Sequence, residues 1–473
     1  MKIVGRKEQL AQIGTLLSSK KAEFVAVTGR RRVGKTFLID QGFEGHICFQ
    51  MTGIQNADLK AQLENFSRKL MIHSQLPFIL TPPKDWGEAF FQLRSYLEQQ
   101  PKTQKQVIFL DELPWMNTAK SGFLQQLAHF WNDYLSKQSH FILIVCGSAS
   151  SWLVNNITND KGGLHNRLTA TIHLQPFTLS ETKAFLEAKG IINPLQEIAK
   201  LYMVLGGIPY YLDDIQNHES NDQAIERMCF SENGKLKNEY NNLYKALFAN
   251  PENHEKIVEA LAGGQKGMLR SQIIEKSKVQ DGGPFNRAMN DLLSCGFIIT
   301  IAQYGRKKRE ERYLLNDEFS NFYHQFMKKN QRYTAGMWTQ LAQNQRFKIW
   351  LGYAFERLVL RHIPKLKQQL GIASVYTEIY NLYPSNEDDK AMQVDLLLDR
   401  KDNVVNFCEI KNYDAQFKIT KDFYEKTLQK LDYFRSIAPQ KQVIYTLITN
   451  KAIVVNEYST SLIGQTVTLS ELF

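Results

Sequence analysis

The residues Gly29-Arg30-Arg31-Arg32-Val33-Gly34-Lys35-Thr36 have the types and spacing that cradle a phosphate. The glycines let backbone N–H groups turn inward around phosphate oxygens. Lys35 is placed to neutralise the β and γ phosphates, and the Thr36 hydroxyl to ligate Mg²⁺. The apolar run Phe24–Thr28 precedes the loop and the helical run Phe37-Leu38-Ile39 follows it. The loop thus lies between a strand and a helix N-terminus, whose dipole adds to the attraction for anions. Downstream, the apolar run Val107–Leu110 delivers adjacent carboxylates, Asp111 and Glu112. Asp111 suits the metal, and Glu112 suits the base that orients an attacking water.

Two further residues invite roles at this site. Ser148 follows the apolar run Phe141–Cys146 and is placed either to sense a γ-phosphate or to cap the next helix. Arg167 precedes Ile172-His173-Leu174 and reads either as an arginine finger, in cis or from a neighbouring subunit, or as a surface arginine.

A second constellation lies near the C-terminus. In Val405–Lys411 side chains alternate, so Glu409 and Lys411 share a face. Asp395 interrupts the apolar run around Leu396–Leu398, and the polar stretch Asp399–Asn403 fits a hairpin turn that would bring Asp395 near Glu409. Two such carboxylates repel each other, and a bound Mg²⁺ or Mn²⁺ relieves that. A nearby lysine suits the charge that builds on a phosphate under attack. Glu356 sits on the helical stripe Ile349, Tyr353, Leu360, Ile363, which is expected to be buried. It reads either as a further metal ligand or as an ion-pair partner of Arg357, Arg361 or Lys411.

The elements that must position these groups follow from patterning. Residues 1–175 alternate apolar runs with helical patterns, the mark of an α/β parallel sheet. Residues 176–250 read as a helical lid, interrupted at Gly206-Gly207-Ile208-Pro209. Residues 251–330 read as three helices followed by the strands Phe297–Ile301 and Arg312–Leu315. The basic tip Gly305–Arg309 joins those strands, the outline of a winged helix-turn-helix. The tip is either a DNA-contacting wing or a solvated hairpin. Asn286, Arg287 and Asn290 are the exposed polar candidates on the third helix. Residues 335–473 are again α/β, with a long helix over Phe347–Leu366 and strands near Ser374–Tyr383, Gln393–Leu398, Val404–Lys411, Gln442–Thr449 and Ala452–Val455.

At 473 residues, with 43% hydrophobic and 22% charged residues, the chain has the composition of a soluble multidomain protein. Its net charge of +10 favours an anionic partner. No basic amphipathic helix stands out, so DNA is expected before a membrane surface. Five scattered cysteines without a C-x-x-C pair read as reduced thiols. No signal-like or membrane-spanning apolar run is present, and a cytoplasmic location is expected. Histidine spacing offers no zinc site.

Several of these motifs resemble one family. Ile3-Val4-Gly5-Arg6-x-Glu8-x-Leu10, the arginine-rich loop, Leu110-Asp111-Glu112, Cys146-Gly147-Ser148, Pro176-Phe177 and Gly206-Gly207-x-Pro209 look like archaeal-type ATPases of the STAND branch of AAA+-like P-loop proteins. The resemblance spans roughly residues 1–245. It implies ATP as the nucleotide, with the segment containing Gly5 and Arg6 over the adenine. A homo-oligomer through the ATPase domain is a further expectation. Phe355-Glu356, Val394-Asp395 and Cys408-Glu409-Ile410-Lys411 resemble the PD-(D/E)xK nuclease-like module that follows a winged helix in many members. Gln393 departs from that pattern, standing where many members carry an acidic residue. Two functions follow as expectations. One is an ATPase coupled to a metal-dependent DNA endonuclease. The other is an ATP-dependent switch or transcription regulator whose C-terminal domain binds DNA or a protein without cutting.

Overall fold

The computed structural model describes residues 3–75, 81–147, 150–153, 156–157, 163–164, 166–248, 250–330, 334–383 and 392–473. It divides into two compact units, Met1–Pro176 and Phe177–Phe473.

The first unit is built on five parallel strands: β1 (Glu23–Gly29), β2 (Ile47–Thr52), β3 (Gln106–Asp111), β4 (Phe141–Cys146) and β5 (Ala170–Leu174). Their order is β2-β3-β4-β1-β5. β1, β3 and β4 are buried along their whole length, as expected of apolar strands in a parallel sheet covered on both faces. One face packs on an aromatic core in which Phe90 stacks on Phe130 and the edge of Phe123 meets Trp86. The chain leaves β1 for one side of the sheet and later returns to the other side as β5. The phosphate loop therefore lies at the point where strand order reverses, the place such sheets bind ligands.

The second unit carries a seven-stranded sheet. Its members are β6 (Ile298–Gln303), β7 (Arg312–Leu315), β8 (Thr377–Leu382), β9 (Val394–Arg400) and β10 (Val404–Lys411). β12 (Gln442–Thr449) and β14 (Gln465–Thr468) complete it. The order is β14-β12-β10-β9-β8-β6-β7. β11 (Phe417–Lys418) and β13 (Ile453–Val454) pair separately. The hairpin β6–β7 joins the sheet through Ala302 and Gln303, which pair with Tyr380 and Asn381 of β8.

This is where the four-segment reading of the sequence and the structure differ. The helical segment after residue 176 is tied to later residues: the Leu179 amide donates to His362 Nε2 at 3.0 Å, and the Trp338 indole donates to Asp222 at 2.8 Å. Shared packing and a shared sheet merge three expected segments into one unit. The helix expected over Phe347–Leu366 is two helices, Gln345–Arg361 and Ile363–Gln369. Pro364, in the first turn of the second helix, has no N–H to continue the ladder and its ring would crowd the carbonyl four residues back.

All five cysteines are buried free thiols. Among the described residues no helix is long and apolar enough to cross a membrane.

Candidate functional site

Two constellations stand out, one in each unit. In the first, β1 ends at Gly29, whose φ of +140° and close approach to the Leu174 carbonyl leave no room for a side chain. Residues 30–34 then curve into the helix Lys35–Gly42. Lys35 is buried, and its ammonium donates to the carbonyls of Gly29 and Arg30, both at 2.9 Å. Thr36 donates its hydroxyl hydrogen to Asp111 Oδ2 at 2.8 Å. β4 runs between β1 and β3, so this bond links the helix after one strand to the end of a strand two places away. A hydroxyl and a carboxylate meeting in this way are the hard oxygen donors that Mg²⁺ takes.

Glu112 follows directly in a left-handed conformation, φ 49°, and stands immediately before the short helix Leu113–Met116. Arg30 is buried and contributes its backbone carbonyl to Lys35; Arg31, Arg32 and Val33 complete the curve.

Arg6 and Gly5 both have positive φ. The Arg6 guanidinium donates to the Gln175 carbonyl at 2.7 Å and the Val33 carbonyl at 3.0 Å. It braces the loop through backbone. Arg167 is exposed. Ser148 lies outside the described residues. Sequence reasoning missed His173, whose Nδ1 lies 2.8 Å from the Thr28 hydroxyl at the ends of β5 and β1. Partial burial, with the Lys35 charge, pushes the His173 imidazole below its usual range. No motif points to it, because the strand pairing that brings it here is nonlocal.

In the second unit, β9 and β10 pair antiparallel through Cys408 and Leu396. One more step in that register sets Glu409 opposite Asp395. The Ile410 amide donates to Asp395 Oδ2 at 3.1 Å. Lys411 Nζ lies 2.6 Å from Glu409 Oε1 and 3.6 Å from Asp395 Oδ2. These three residues and Glu356 line one cavity of about 460 Å³.

Arg357 and Arg361, candidate partners for Glu356, are held instead by the buried Glu318, at 3.1 and 3.6 Å. Among the described residues no hydrogen bond or ion pair reaches the Glu356 carboxyl. Burial, then the Asp395 charge, raises it well above the usual carboxylate range. Burial and Glu409 likewise raise Asp395. For Glu409 burial acts upward too, but Lys411 and Lys430 outweigh it and hold this carboxyl low.

Sequence reasoning missed Lys430 and Lys266. Lys430, on the helix Lys421–Ile437, lies 3.1 Å from Glu409. Its position next to the buried Thr427, Leu431 and Phe434 stripe was the available signal. Lys266 donates to Gln393 Oε1 at 2.8 Å and comes from an irregular loop without periodicity.

The cavity can carry charge chemistry on an anion: acceptors at its base and ammonium groups around them. Among the described residues no three His, Cys, Asp or Glu side chains gather as a metal-holding group. A divalent ion would therefore rest on Asp395 and Glu409.

Comparison with known proteins bears on the first constellation. A protein of Methanocaldococcus jannaschii, itself uncharacterized, is 24% identical over 433 residues, 90% of this chain and 91% of that one. A Walker-type ATPase of Pyrococcus abyssi is similar in structure, with a TM-score of 0.50 at 18% identity, over 68% of this chain and 96% of that one. The ORC2 protein of Aeropyrum pernix is more distant, with a TM-score of 0.45 at 14% identity over 72% of this chain and 96% of that one. Residues 3–215 match the model of an ATPase domain found predominantly in Archaea. That family implies a bound nucleotide and Mg²⁺, so this chain carries an archaeal-type P-loop ATPase domain, with Lys35, Thr36 and Asp111 assembled at its phosphate loop.

Proposed function

We propose that the chain is an ATPase coupled to Mg²⁺-dependent hydrolysis of DNA phosphodiesters. One observation carries the second half: Asp395, Glu409 and Lys411 of one hairpin and Glu356 of the helix Gln345–Arg361 line a single cavity. Asp395 and Glu409 would hold Mg²⁺ or Mn²⁺, which when bound supplies charge neutralisation at the phosphate and lowers the pKa of water. Lys411 stabilises the charge that grows on the phosphate oxygens. Water adds its oxygen to phosphorus, the bond from phosphorus to one sugar oxygen breaks, and that oxygen leaves with a proton. At the other site Lys35 and Thr36 hold the ATP phosphates and the ion, Asp111 orients the ion, and Glu112 serves as the base.

The three-helix and hairpin segment acts as a winged helix on DNA. Its tip residues 305–309 are exposed and carry the basic run Arg306–Arg309; Asn286, Arg287 and Asn290 are exposed on the third helix. The net charge of +10 supports a polyanionic partner.

A second reading, an ATP-dependent switch that binds DNA or a protein without cutting, is favoured by two features. Two lysines already clasp Glu409, and no third ligand joins the two carboxylates among the described residues.

The experiment is cleavage of supercoiled and linear DNA with Mg²⁺ or Mn²⁺, with and without ATP, beside Asp395→Ala and Lys35→Ala. Nicking lost in Asp395→Ala supports the nuclease, and its dependence on ATP and Lys35 reports coupling. A parent that hydrolyses ATP and binds DNA but never cuts leaves the switch.

A further inference from the structure

We infer that Lys266, from the loop joining the helices Glu252–Ala262 and Arg270–Ser277, is a phosphate-positioning residue of the carboxylate cavity, holding a backbone phosphate of the nucleic acid that the site acts on. The inference rests on the proposed nuclease reading and adds to it a residue from outside the segment that carries Asp395, Glu409 and Lys411.

The loop is built to present this side chain. Gln265 Oε1 accepts from Arg357 at 2.8 Å, the Lys266 carbonyl accepts from the Tyr383 hydroxyl at 3.2 Å, and the Gly267 carbonyl accepts from Arg312 at 2.7 Å. Met268 pairs with Tyr313 through both its N–H and its carbonyl. Gly267 has φ +77°, and a side chain there would strike Leu314 at 2.7 Å. Four successive residues are thus fixed, and the ammonium of one emerges into the cavity lined by Glu356, Asp395 and Glu409.

There its hydrogen-bond partner among the described residues is the neutral amide oxygen of Gln393, at 2.8 Å. Lys411 and Lys430, by contrast, are engaged by carboxylates. An ammonium has three donors and a strong preference for anionic oxygen, so Lys266 retains capacity for a ligand that the other two lysines have largely given to Glu409. Glu356, Asp395 and Glu409 line the same cavity, and none of them forms an ion pair with Lys266 among the described residues. The ligand that fits an ammonium beside metal-binding carboxylates is a phosphodiester oxygen.

The test uses the full-length chain and a fluorescent DNA duplex in Ca²⁺, with affinity measured across a salt series. Cleavage in Mg²⁺ follows. Lys266→Met is expected to bind about five- to tenfold more weakly, with the salt slope reduced by about 0.9, the value for one phosphate contact. Its cleavage should show a raised KM. Lys266→Arg is expected to restore most of the affinity. Gln393→Leu removes the hydrogen bond but keeps the charge, and should leave the slope unchanged.

Unchanged affinity and slope in Lys266→Met overturns the inference. So does an equal loss in Gln393→Leu, which would make the contact a brace for β9. Lys266→Gln serves as the second variant if Lys266→Met fails to fold. A parent that binds no duplex at all overturns the nuclease reading itself, a result distinct from a parent that binds and is indifferent to residue 266.

Discussion

Lys430 and Glu409 lie on different elements, the helix Lys421–Ile437 and β10, yet the lysine ammonium sits 3.1 Å from one carboxylate oxygen and 3.2 Å from the other. Glu409 therefore meets two cations, Lys411 along its own strand and Lys430 across the sheet–helix interface. A divalent ion must compete with both. Replacing Lys430 with Met should raise the Glu409 carboxyl toward its ordinary range and tighten Ca²⁺ or Mg²⁺ binding by roughly tenfold or less, as removal of one half-buried charge permits. Calorimetric titration of parent and variant decides this. Equal affinities would mean that the lysine does not oppose the ion.

The pH behaviour of Glu356 follows from its isolation. Burial and Asp395 lift its carboxyl to about 8, against an ordinary 4.5. The folded chain then binds a proton more tightly than the unfolded one between those values. Its contribution to stability is complete below about pH 4.5 and is lost as pH rises through about 8. In EDTA, the thermal midpoint of Glu356→Gln should be less sensitive to pH over that window than the parent's, and higher above it. Mg²⁺ should narrow the difference by favouring the ionised parent. A midpoint for the variant that tracks the parent at every pH would remove the isolated carboxyl from the account.

At the phosphate loop, Lys35→Ala and Glu112→Gln should separate binding from turnover. The first removes the charge held against the loop and should abolish ATP binding. The second leaves the loop intact and should slow hydrolysis by about a hundredfold or more while ATP still binds. Filter binding and phosphate release distinguish them. Hydrolysis at the parent rate in Glu112→Gln would assign the base elsewhere.

Glu318 has 1% of its side chain exposed and receives two hydrogen bonds from Arg357 at 3.1 Å, with Arg361 nearby. Glu318→Leu leaves buried guanidinium charge uncompensated and should cost about 3–5 kcal/mol in denaturant unfolding. Adding Arg357→Met to that variant should recover part of the loss. A single variant as stable as the parent would show that water reaches the cluster.

His362 gives a second pH signal of opposite sense. Its Nδ1 donates to the Leu358 carbonyl at 2.8 Å, so Nε2 must accept the Leu179 amide at 3.0 Å. Burial lowers the imidazole to about 4 from an ordinary 6.5. This contribution is complete above about pH 6.5 and is lost as pH falls toward 4. Hydrogen exchange of the Leu179 amide should accelerate over that window in the parent. An exchange rate flat from pH 7 to pH 4, after correction for intrinsic chemistry, would contradict the assigned tautomer.

The sequence disclosed these sites unevenly, for physical reasons. Lys35 and Thr36 were legible because their motif is local and lies between an apolar run and a helix, and Asp111 because it ends an apolar run that reads as a buried strand. Asp395, Glu409 and Lys411 were legible through period-two alternation and a short polar turn, which together set the β9–β10 register. Glu356 was singled out by a stripe expected to be buried, but Ile349 on that stripe is 54% exposed and the helix buries Phe347, Trp350, Phe355 and Leu358 instead; its freedom from Arg357 and Arg361 was not legible, since Glu318 is far away in sequence. Arg6 was read as a nucleotide contact because the resemblance placed it there; its two carbonyl acceptors depend on tertiary placement. Lys266 and His173 lay beyond reach for the same reason. The break at His362 was missed because the apolar stripe continues across Pro364.

The sheet that runs from β14 through β8 into β6 and β7 has a consequence for dissecting the chain. The bond between Ala302–Gln303 and Tyr380–Asn381 makes β8 an interior strand. A polypeptide beginning near residue 335 would turn β8 into a raw border, with unsatisfied backbone donors and acceptors ready to recruit a strand from another molecule. An isolated C-terminal piece should thus clump or swap strands, whereas an excision made before Phe177 leaves every strand of that sheet with its native neighbour.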